Sequence, residues 1–292
     1  MSTNIDDKNR MYGHNRNKFF YHSSYKLNKT LLVILQQQKK GETPFEATNR
    51  NKKTSKMDTK LIMTFLRNIA AHNDRPWFQE HKKDYQAALA SYEQGVGEAI
   101  KAISHFDSSI AYLTPKDCMY RFYRDIRFST DKSPYKRHFG AYISAKGKKS
   151  LHGGYYIHME PGKCFLGGGV YWLPTNILTA CRNEIMANEK DWLKIVTSGE
   201  FVHNFGYPNE GTWEEDKVSD KGFGMTALKT APKGFPRDYK YLDYLRMKDY
   251  SCWHAVPDDF FEGNEWTKEA ARIFKVMKPM MDFVNAVVDD YE

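Results

Sequence analysis

The sequence, 292 residues long, has no apolar run that approaches the ~20 residues of a membrane-spanning helix. The apolar run at residues 31–35 is far too short and lacks the small-residue cleavage pattern of a signal peptide. There is no Cys-x-x-Cys pair, which argues against a zinc ribbon and a disulfide scaffold. The cysteines are Cys118, Cys164, Cys181 and Cys252. We therefore expect a soluble, cytoplasmic protein with reduced thiols and no membrane partner.

The body of the chain also lacks net charge. The formal charge of +8 resides in residues 1–56, which hold 12 Lys and Arg against 4 Asp and Glu, whereas residues 57–292 hold 32 of each sign. A neutral body argues against nucleic-acid binding, which normally needs a basic face, and leaves that contact open for the tail. Segment 116–149 is the exception, with ten basic residues against three acidic ones. Such a local patch fits a small anionic ligand better than a long duplex.

Two regions of the chain differ in pattern. Residues 1–56 are rich in Asn, Lys, Gln and Ser, which predicts a basic N-terminal segment that is disordered or extraneous. Residues 57–292 show helical apolar spacing at both ends and short alternating aromatic runs between them. These runs predict strands at 119–128, 139–144, 154–160, 164–172 and 251–256, with a loop-rich stretch over 204–250. We predict a single α+β domain with an antiparallel β-meander core flanked by N-terminal and C-terminal helices.

The run RFYRDIRFSTDKSPYK at residues 121–136 carries the most unusual composition. As a strand, its first part would alternate between two faces. One face would carry Arg121, Tyr123, Asp125 and Arg127, and the other Phe122, Arg124, Ile126 and Phe128. The guanidinium fork matches a carboxylate or phosphate through two parallel hydrogen bonds, so the run indicates an anion site. The alternative is that Asp125 satisfies the arginines in a half-buried structural ion-pair network.

The second half of this run predicts a turn, because Ser-Pro lies within a polar cluster. That turn would place Lys132, Tyr135 and Lys136 near the end of the arginine strand. Hydroxyls and backbone N–H groups of such a loop can cradle a phosphate. The spacing is not that of a P-loop. The alternative is a solvated turn with surface lysines.

A histidine and a glutamate share one face of the strand predicted at 154–160. His158 and Glu160 are two residues apart, which suits a general acid/base pair or part of a metal site. A third ligand would have to come from elsewhere in the chain, with His138 and His152 as examples, and the spacing matches no standard zinc motif. The alternative is a hydrogen bond across the sheet.

In the next strand, the glycines around Gly168 predict a close approach by a backbone, a ring or a ligand.

Six pieces of the sequence together match one family. They are FLRNIAAHNDRPWF at residues 65–78, RFYRDIRFS at 121–129, DKSPYK at 131–136, GYYIH at 154–158, FLGGG at 165–169 and LKTAPKG at 228–234. With them the chain resembles, over about residues 58–290, the bacterial and fungal proteins grouped as domain-of-unknown-function family 2461. The resemblance implies a domain that excludes residues 1–56, and it implies no settled activity.

Three hypotheses of function follow from these patterns. The leading one is binding of a phosphate- or carboxylate-bearing ligand through Arg121, Tyr123, Arg124, Asp125, Arg127, Lys132, Tyr135, Lys136 and Gly168. The second is a hydrolase-type enzyme with His158 and Glu160 as catalytic residues, with or without a metal ion. The third is a non-catalytic interaction module with a structural Arg/Asp network. The sequence identifies no cofactor, no reaction and no oligomeric state.

Overall fold

The computed structural model describes residues 56–127, 129–214 and 218–292. The predicted N-terminal segment lies outside the described residues except for Lys56, so its interpretation and the boundary at residue 57 stay predictions. None of the helices in the described part of the chain is long and apolar enough to cross a membrane. All four cysteines are buried free thiols.

The first helical stretch forms α1 (Thr59–Ala71), α2 (Arg75–Glu80), α3 (Lys82–Ser104) and α4 (Pro115–Cys118). Asp58 and Asp74 cap α1 and α2, because each side chain accepts a hydrogen bond from a backbone N–H three residues further on. The buried face of α1, which includes Ile62, Phe65 and Leu66, packs against α3. The predicted apolar spacing therefore reflects a face that is buried in the core.

One antiparallel sheet of five strands lies in the described residues. The strands are β1 (Phe139–Ile143), β2 (Gly154–Met159), β3 (Phe165–Val170), β4 (Lys221–Phe223) and β5 (Tyr250–Ala255). Their order in the sheet is β1-β2-β3-β5-β4. The first three form a meander, and helices from both ends of the body flank the sheet, which confirms the predicted α+β class. The predicted loop stretch contains β4, which is too short for its sequence to show a period.

The strand predicted at residues 119–128 does not form within the described residues 119–127, so that prediction was wrong. The segment makes isolated bridges and otherwise pairs with the loop that follows it. Arg124 N donates to Pro134 O at 3.0 Å, and Lys136 N donates to Phe122 O at 2.9 Å. The Asp131 carboxylate accepts a hydrogen bond from the backbone N–H two residues on, at 2.8 Å. Such local side-chain bonds to the backbone compete with a strand ladder.

The C-terminal half supplies α5 (Thr175–Ala187), α6 (Glu189–Val196), α7 (Gly199–Phe205), α8 (Leu242–Arg246) and α9 (Trp266–Asp289). The long helix α9 packs on β3 and α3. It continues through Pro279, which the sequence indicated as a kink. Its buried face includes Phe274 and Met277, so the period-3.6 apolar pattern of this segment again marks the core.

The two faces of the sheet have different surroundings. On one face Tyr155 packs on Phe274 of α9, and Tyr92 of α3 donates a hydrogen bond to Ile157 O at 3.0 Å. The alternate residues point to the other side. This second face carries Tyr142, Tyr156, His158, Phe165 and Trp253, and it borders two cavities. The sheet thus presents an aromatic and histidine-bearing surface away from its helical layer.

Candidate functional site

A cleft with a volume of about 1010 Å³ lies where β2 ends, β3 begins and β5 ends. Five basic and four acidic side chains line it, so its charge is mixed with a small basic excess. The basic ones are Arg124, Lys136, Arg137, Lys163 and Lys221, and the acidic ones are Asp131, Glu160, Glu214 and Asp220. Three histidines complete its polar lining, namely His138, His158 and His254.

His138, His158 and Glu160 form a cluster in this cleft. One ligand atom from each residue lies within 4.8 Å of the others. His158 Nε2 is 3.1 Å from Glu160 Oε2, and His138 Nδ1 is 3.7 Å from the same oxygen. Neighbouring ligand atoms around a divalent ion are roughly 3.0–3.5 Å apart when each bond is about 2.1 Å. The three side chains can therefore hold a metal ion after small adjustments.

Contacts with two neighbouring aromatic residues fix the orientation of the His158 ring. Its Nδ1 is 3.1 Å from the hydroxyl of Tyr156, the residue two positions earlier on the same face of β2. Its ring stacks on Phe165 at 4.5 Å between centroids, and the two residues are register partners across β2 and β3. A partner on the remote ring nitrogen selects the tautomer and fixes ring direction, which is typical of metal-ligating and catalytic histidines.

Burial, hydrogen bonds and nearby charges set the protonation state of each residue in the cluster. Burial lowers the pKa of His138 to about 2 and also lowers the pKa of His158, although the hydrogen bond to Glu160 opposes the second shift. Burial raises the pKa of Glu160, but the hydrogen bond to His158 and neighbouring cationic groups outweigh it, so the pKa lies below its usual value. At neutral pH the two imidazoles are neutral and the carboxylate is ionised. A divalent cation needs its ligands in these states.

The arginine run divides between the cleft and the surface. Arg124 lines the cleft, whereas Arg121, Tyr123 and Arg127 are exposed outside it. Arg127 binds Asp125 through two side-chain hydrogen bonds of 2.9 and 2.7 Å, with its own side chain 75% exposed. The pair of Asp125 with Arg127 expected in the structural alternative thus forms at the surface rather than half-buried, and exposed pairs of this kind add little to stability.

The second half of the run binds the Arg124 side chain and does not form an open phosphate-binding loop. The Arg124 guanidinium forms an ion pair with Asp131 and donates to Ser133 O and to the Ser129 hydroxyl, both at 3.3 Å. Hydrogen bonds from Ser133 and then the one from Arg124 hold the pKa of Asp131 well below its usual range. Lys132 lies outside the cleft, where its ammonium donates to Ile126 O at 3.0 Å.

Lys136 also lines the cleft. It is half-buried, its nitrogen lies 5.2 Å from the centroid of the Tyr120 ring, and no carboxylate among the described residues pairs with it. Burial and then the charge of Arg121 lower its pKa. Arg137 adjoins it in the chain and lies 4.0 Å from Asp131. Lys136 and Arg137 are thus neighbouring cations of the cleft, whereas the ammonium of Lys221 donates to the backbone oxygens Val202 O and His203 O.

Residues outside the run position this loop. The Asn73 side chain accepts a hydrogen bond from Tyr135 N at 3.1 Å and donates one to Tyr135 O at 3.0 Å. The buried Tyr135 ring stacks on Phe78 at 4.0 Å between centroids. Sequence reasoning gave neither contact. The sequence feature nearest to Asn73 that indicates a turn is Asp74, which is a typical helix N-cap. Residues of such a turn can contact a neighbouring loop.

Gly168 lies outside the basic cleft. A Cβ atom at this position would lie 2.4 Å from Met277 Sδ and 2.6 Å from Gly154 O. The close approach predicted for the glycine run is therefore made by a side chain of α9 and by the neighbouring strand. Of the predicted ligand-binding residues, the cleft brings together Arg124, Tyr135 and Lys136 with His158 and Glu160. Their roles stay predictions.

Comparisons with known proteins assign the chain to a family. A family model described as "Conserved hypothetical protein (DUF2461)" matches residues 61–283, about three quarters of the chain. The matched range includes all the residues of the cleft. No curated protein and no solved structure matches the chain significantly.

Proposed function

Because the chain belongs to this DUF2461 family, whose description names no reaction, we propose a function from the cleft itself: it binds a ligand that carries a phosphate or carboxylate group. One observation carries the proposal. Lys136 lines the cleft with a half-buried side chain, and its ammonium has no carboxylate partner in the described residues. Partial burial of a cation without a carboxylate partner costs free energy, and an anionic ligand supplies the missing charge.

The surrounding groups support the same conclusion. Arg137 follows Lys136 in the chain and also lines the cleft, and its ion pair with Asp131 spans 4.0 Å. The ion pair between Arg124 and Asp131 holds the loop backbone in place beside them. A ligand oxygen between Lys136 and Arg137 would receive charge-assisted hydrogen bonds, which are stronger than neutral ones. The run thus contributes the structural ion pair of Arg124 with Asp131 and the ligand-binding cation Lys136, and Arg137, the second ligand-binding cation, directly follows the run.

Replacing Lys136 with methionine tests this proposal, because methionine keeps the apolar stem and removes the charge. We expect the Kd for inorganic phosphate, measured by calorimetry on the full chain, to rise about tenfold or more, since a charge-assisted hydrogen bond contributes about 1.5–3 kcal/mol. Lys60→Met on the exposed side of α1 is the matched control and should leave the Kd unchanged. Equal affinities for wild type and Lys136→Met, or no phosphate binding by wild type, would contradict the proposal.

A second candidate function rests on the cluster of His138, His158 and Glu160. Three protein ligands that leave further coordination positions open are typical of catalytic rather than structural metal sites. A divalent ion held there would lie in the same cleft as Lys136 and could polarise a phosphoryl or acyl oxygen of the bound ligand. This arrangement favours metal-assisted hydrolysis, with His158 and Glu160 as ligands rather than as a separate acid/base pair.

Zinc titration of the chelator-treated, untagged chain tests this second candidate. We expect wild type to bind one equivalent of zinc. His158→Ala should weaken this binding at least tenfold, because the variant loses one of three protein ligands, the one that Tyr156 orients. His203→Ala, at an exposed position on α7, serves as control for nonspecific binding. Wild type that binds no zinc, cobalt or manganese would rule the candidate out, and so would an unchanged affinity in His158→Ala.

A further inference from the structure

We infer that the ligand of the basic cleft carries a flat aromatic ring, and that a second, aromatic cavity on the same face of the sheet receives this ring. The inference rests on the proposed anion binding and specifies its ligand class: an aryl or nucleoside phosphate. The second cavity has a volume of about 520 Å³. Together the two cavities are large enough for a ligand with a charged head and a ring.

The second cavity is built for an apolar, planar group. Its lining includes Tyr142, Tyr156, Phe165, Trp213 and Trp253. Part of its floor is the glycine run of β3, where Gly167 presents no side chain towards the cavity. Aromatic rings pack against other rings in offset or edge-to-face geometry, and walls of this composition favour an aromatic guest. Gly167 keeps this part of the floor free of a side chain of its own, and the Phe165 ring lies beside it.

The two cavities adjoin each other through shared side chains. Phe165 and Trp213 line both, and their rings meet edge to face at 5.0 Å between centroids. Tyr156 lines the second cavity while its hydroxyl lies 3.1 Å from His158 in the first. Tyr120 also lines the second cavity, and the ammonium of Lys136 lies 5.2 Å from its ring centroid. A phosphate at Lys136 is therefore only one aromatic side chain away from the second cavity.

Two exposed aromatic residues at the edge of the second cavity point to the same ligand. Tyr171 is 68% and Trp172 is 63% exposed, although both side chains line the cavity. No aromatic ring among the described residues packs on either. Large exposed aromatic groups beside a cavity are typical of a binding surface rather than of a folded core. Trp172 is placed to stack on a ring that enters the cavity, as aromatic platforms do with nucleobases.

Calorimetry on the full chain with inorganic phosphate, phenyl phosphate and adenosine monophosphate tests the inference. We expect phenyl phosphate or the nucleotide to bind at least about tenfold more tightly than inorganic phosphate, which is the usual effect of one stacked ring. Trp172→Ala should remove this gain and leave the affinity for inorganic phosphate unchanged. Tyr291→Ala, 50% exposed and outside the lining of the cavity, is the matched control and should change neither affinity.

The outcomes separate this inference from the function on which it rests. If inorganic phosphate binds in a Lys136-dependent way and neither aromatic phosphate binds more tightly, the second cavity is not a ring subsite and the inference is wrong. The same holds if Trp172→Ala keeps the full gain. If no phosphate compound binds, the anion-binding function fails first. A nucleotide that binds more tightly than phenyl phosphate supports the inference and identifies a nucleoside as the ring-bearing group.

Discussion

Replacing Gly169 with alanine is expected to lower the free energy of unfolding by about 4 kcal/mol, from backbone strain together with a steric clash. Gly169 has φ +93°, in the left-handed region that only glycine adopts without strain. A Cβ atom there would lie 2.2 Å from Tyr250 O, and this oxygen belongs to the backbone of β5 and cannot rotate away. Because β3 and β5 pair at this register, the clash would push the two central strands of the sheet apart at this end of their pairing.

The matched control for this substitution is Gly147→Ala. Gly147 has φ +84°, but no atom lies within 4 Å of the position its Cβ would take. This variant should therefore lose only the strain energy, about 1 kcal/mol. Urea unfolding followed by circular dichroism measures both losses. If the two variants lost the same stability, the contact with Tyr250 O would not be the cause, and the close pairing of β3 with β5 would be in doubt.

Phe78→Ala is expected to reduce the free energy of unfolding by about 3–5 kcal/mol, the usual cost of truncating a buried phenylalanine. Phe78 is fully buried on α2. Its ring stacks on Tyr135 at 4.0 Å and lies 5.0 Å from Tyr85 and 6.1 Å from Phe122, as centroid distances. The cavity left by truncation would release Tyr135, the residue next to Lys136. We therefore also expect weaker phosphate binding by this variant under conditions where it remains folded.

Trp77→Ala provides the comparison for Phe78→Ala within the same helix. Trp77 is only partly buried and stacks on His81 at 4.0 Å, and its ring contacts in the described residues do not include Tyr135. Its truncation should cost about 1–2 kcal/mol and leave the phosphate affinity as in wild type. A phosphate affinity that is equal in the two variants would show that the packing of Phe78 on Tyr135 does not position the cation.

Much of the fold could be predicted because its elements carry strong local signals. The helical spacing of α1, α3 and α9 repeats over several turns, and the strands β1, β2, β3 and β5 are aromatic and separated by turn residues. The wrong strand at residues 119–128 has a clear cause. Alternation of burial does occur there, with Phe122 buried between exposed neighbours, but the segment pairs with its own loop. A period of two predicts alternating exposure and does not identify the pairing partner.

The candidate site was predicted in part. His158 and Glu160 share a face because they are two residues apart on one strand, and this relation needs no tertiary information. His138 was one of two candidates for a third ligand. The antiparallel register between β1 and β2 places it beside them, since Gly140 pairs with His158. His152 instead binds Asp289 near the end of α9. Nothing in the spacing of the two histidines distinguishes these outcomes.

The sequence by itself determined the family, the α+β class, the location of the charge and the face shared by His158 and Glu160. Each of these depends on composition, on a local period or on a motif. The tertiary structure decided which cations face the cleft, because Asp131 takes up Arg124 while Lys136 is left without a carboxylate among the described residues. It also decided that Gly168 lies under Met277 and that aromatic side chains from distant segments form one cavity. These relations arise from contacts between residues far apart in the chain, which a local pattern does not encode.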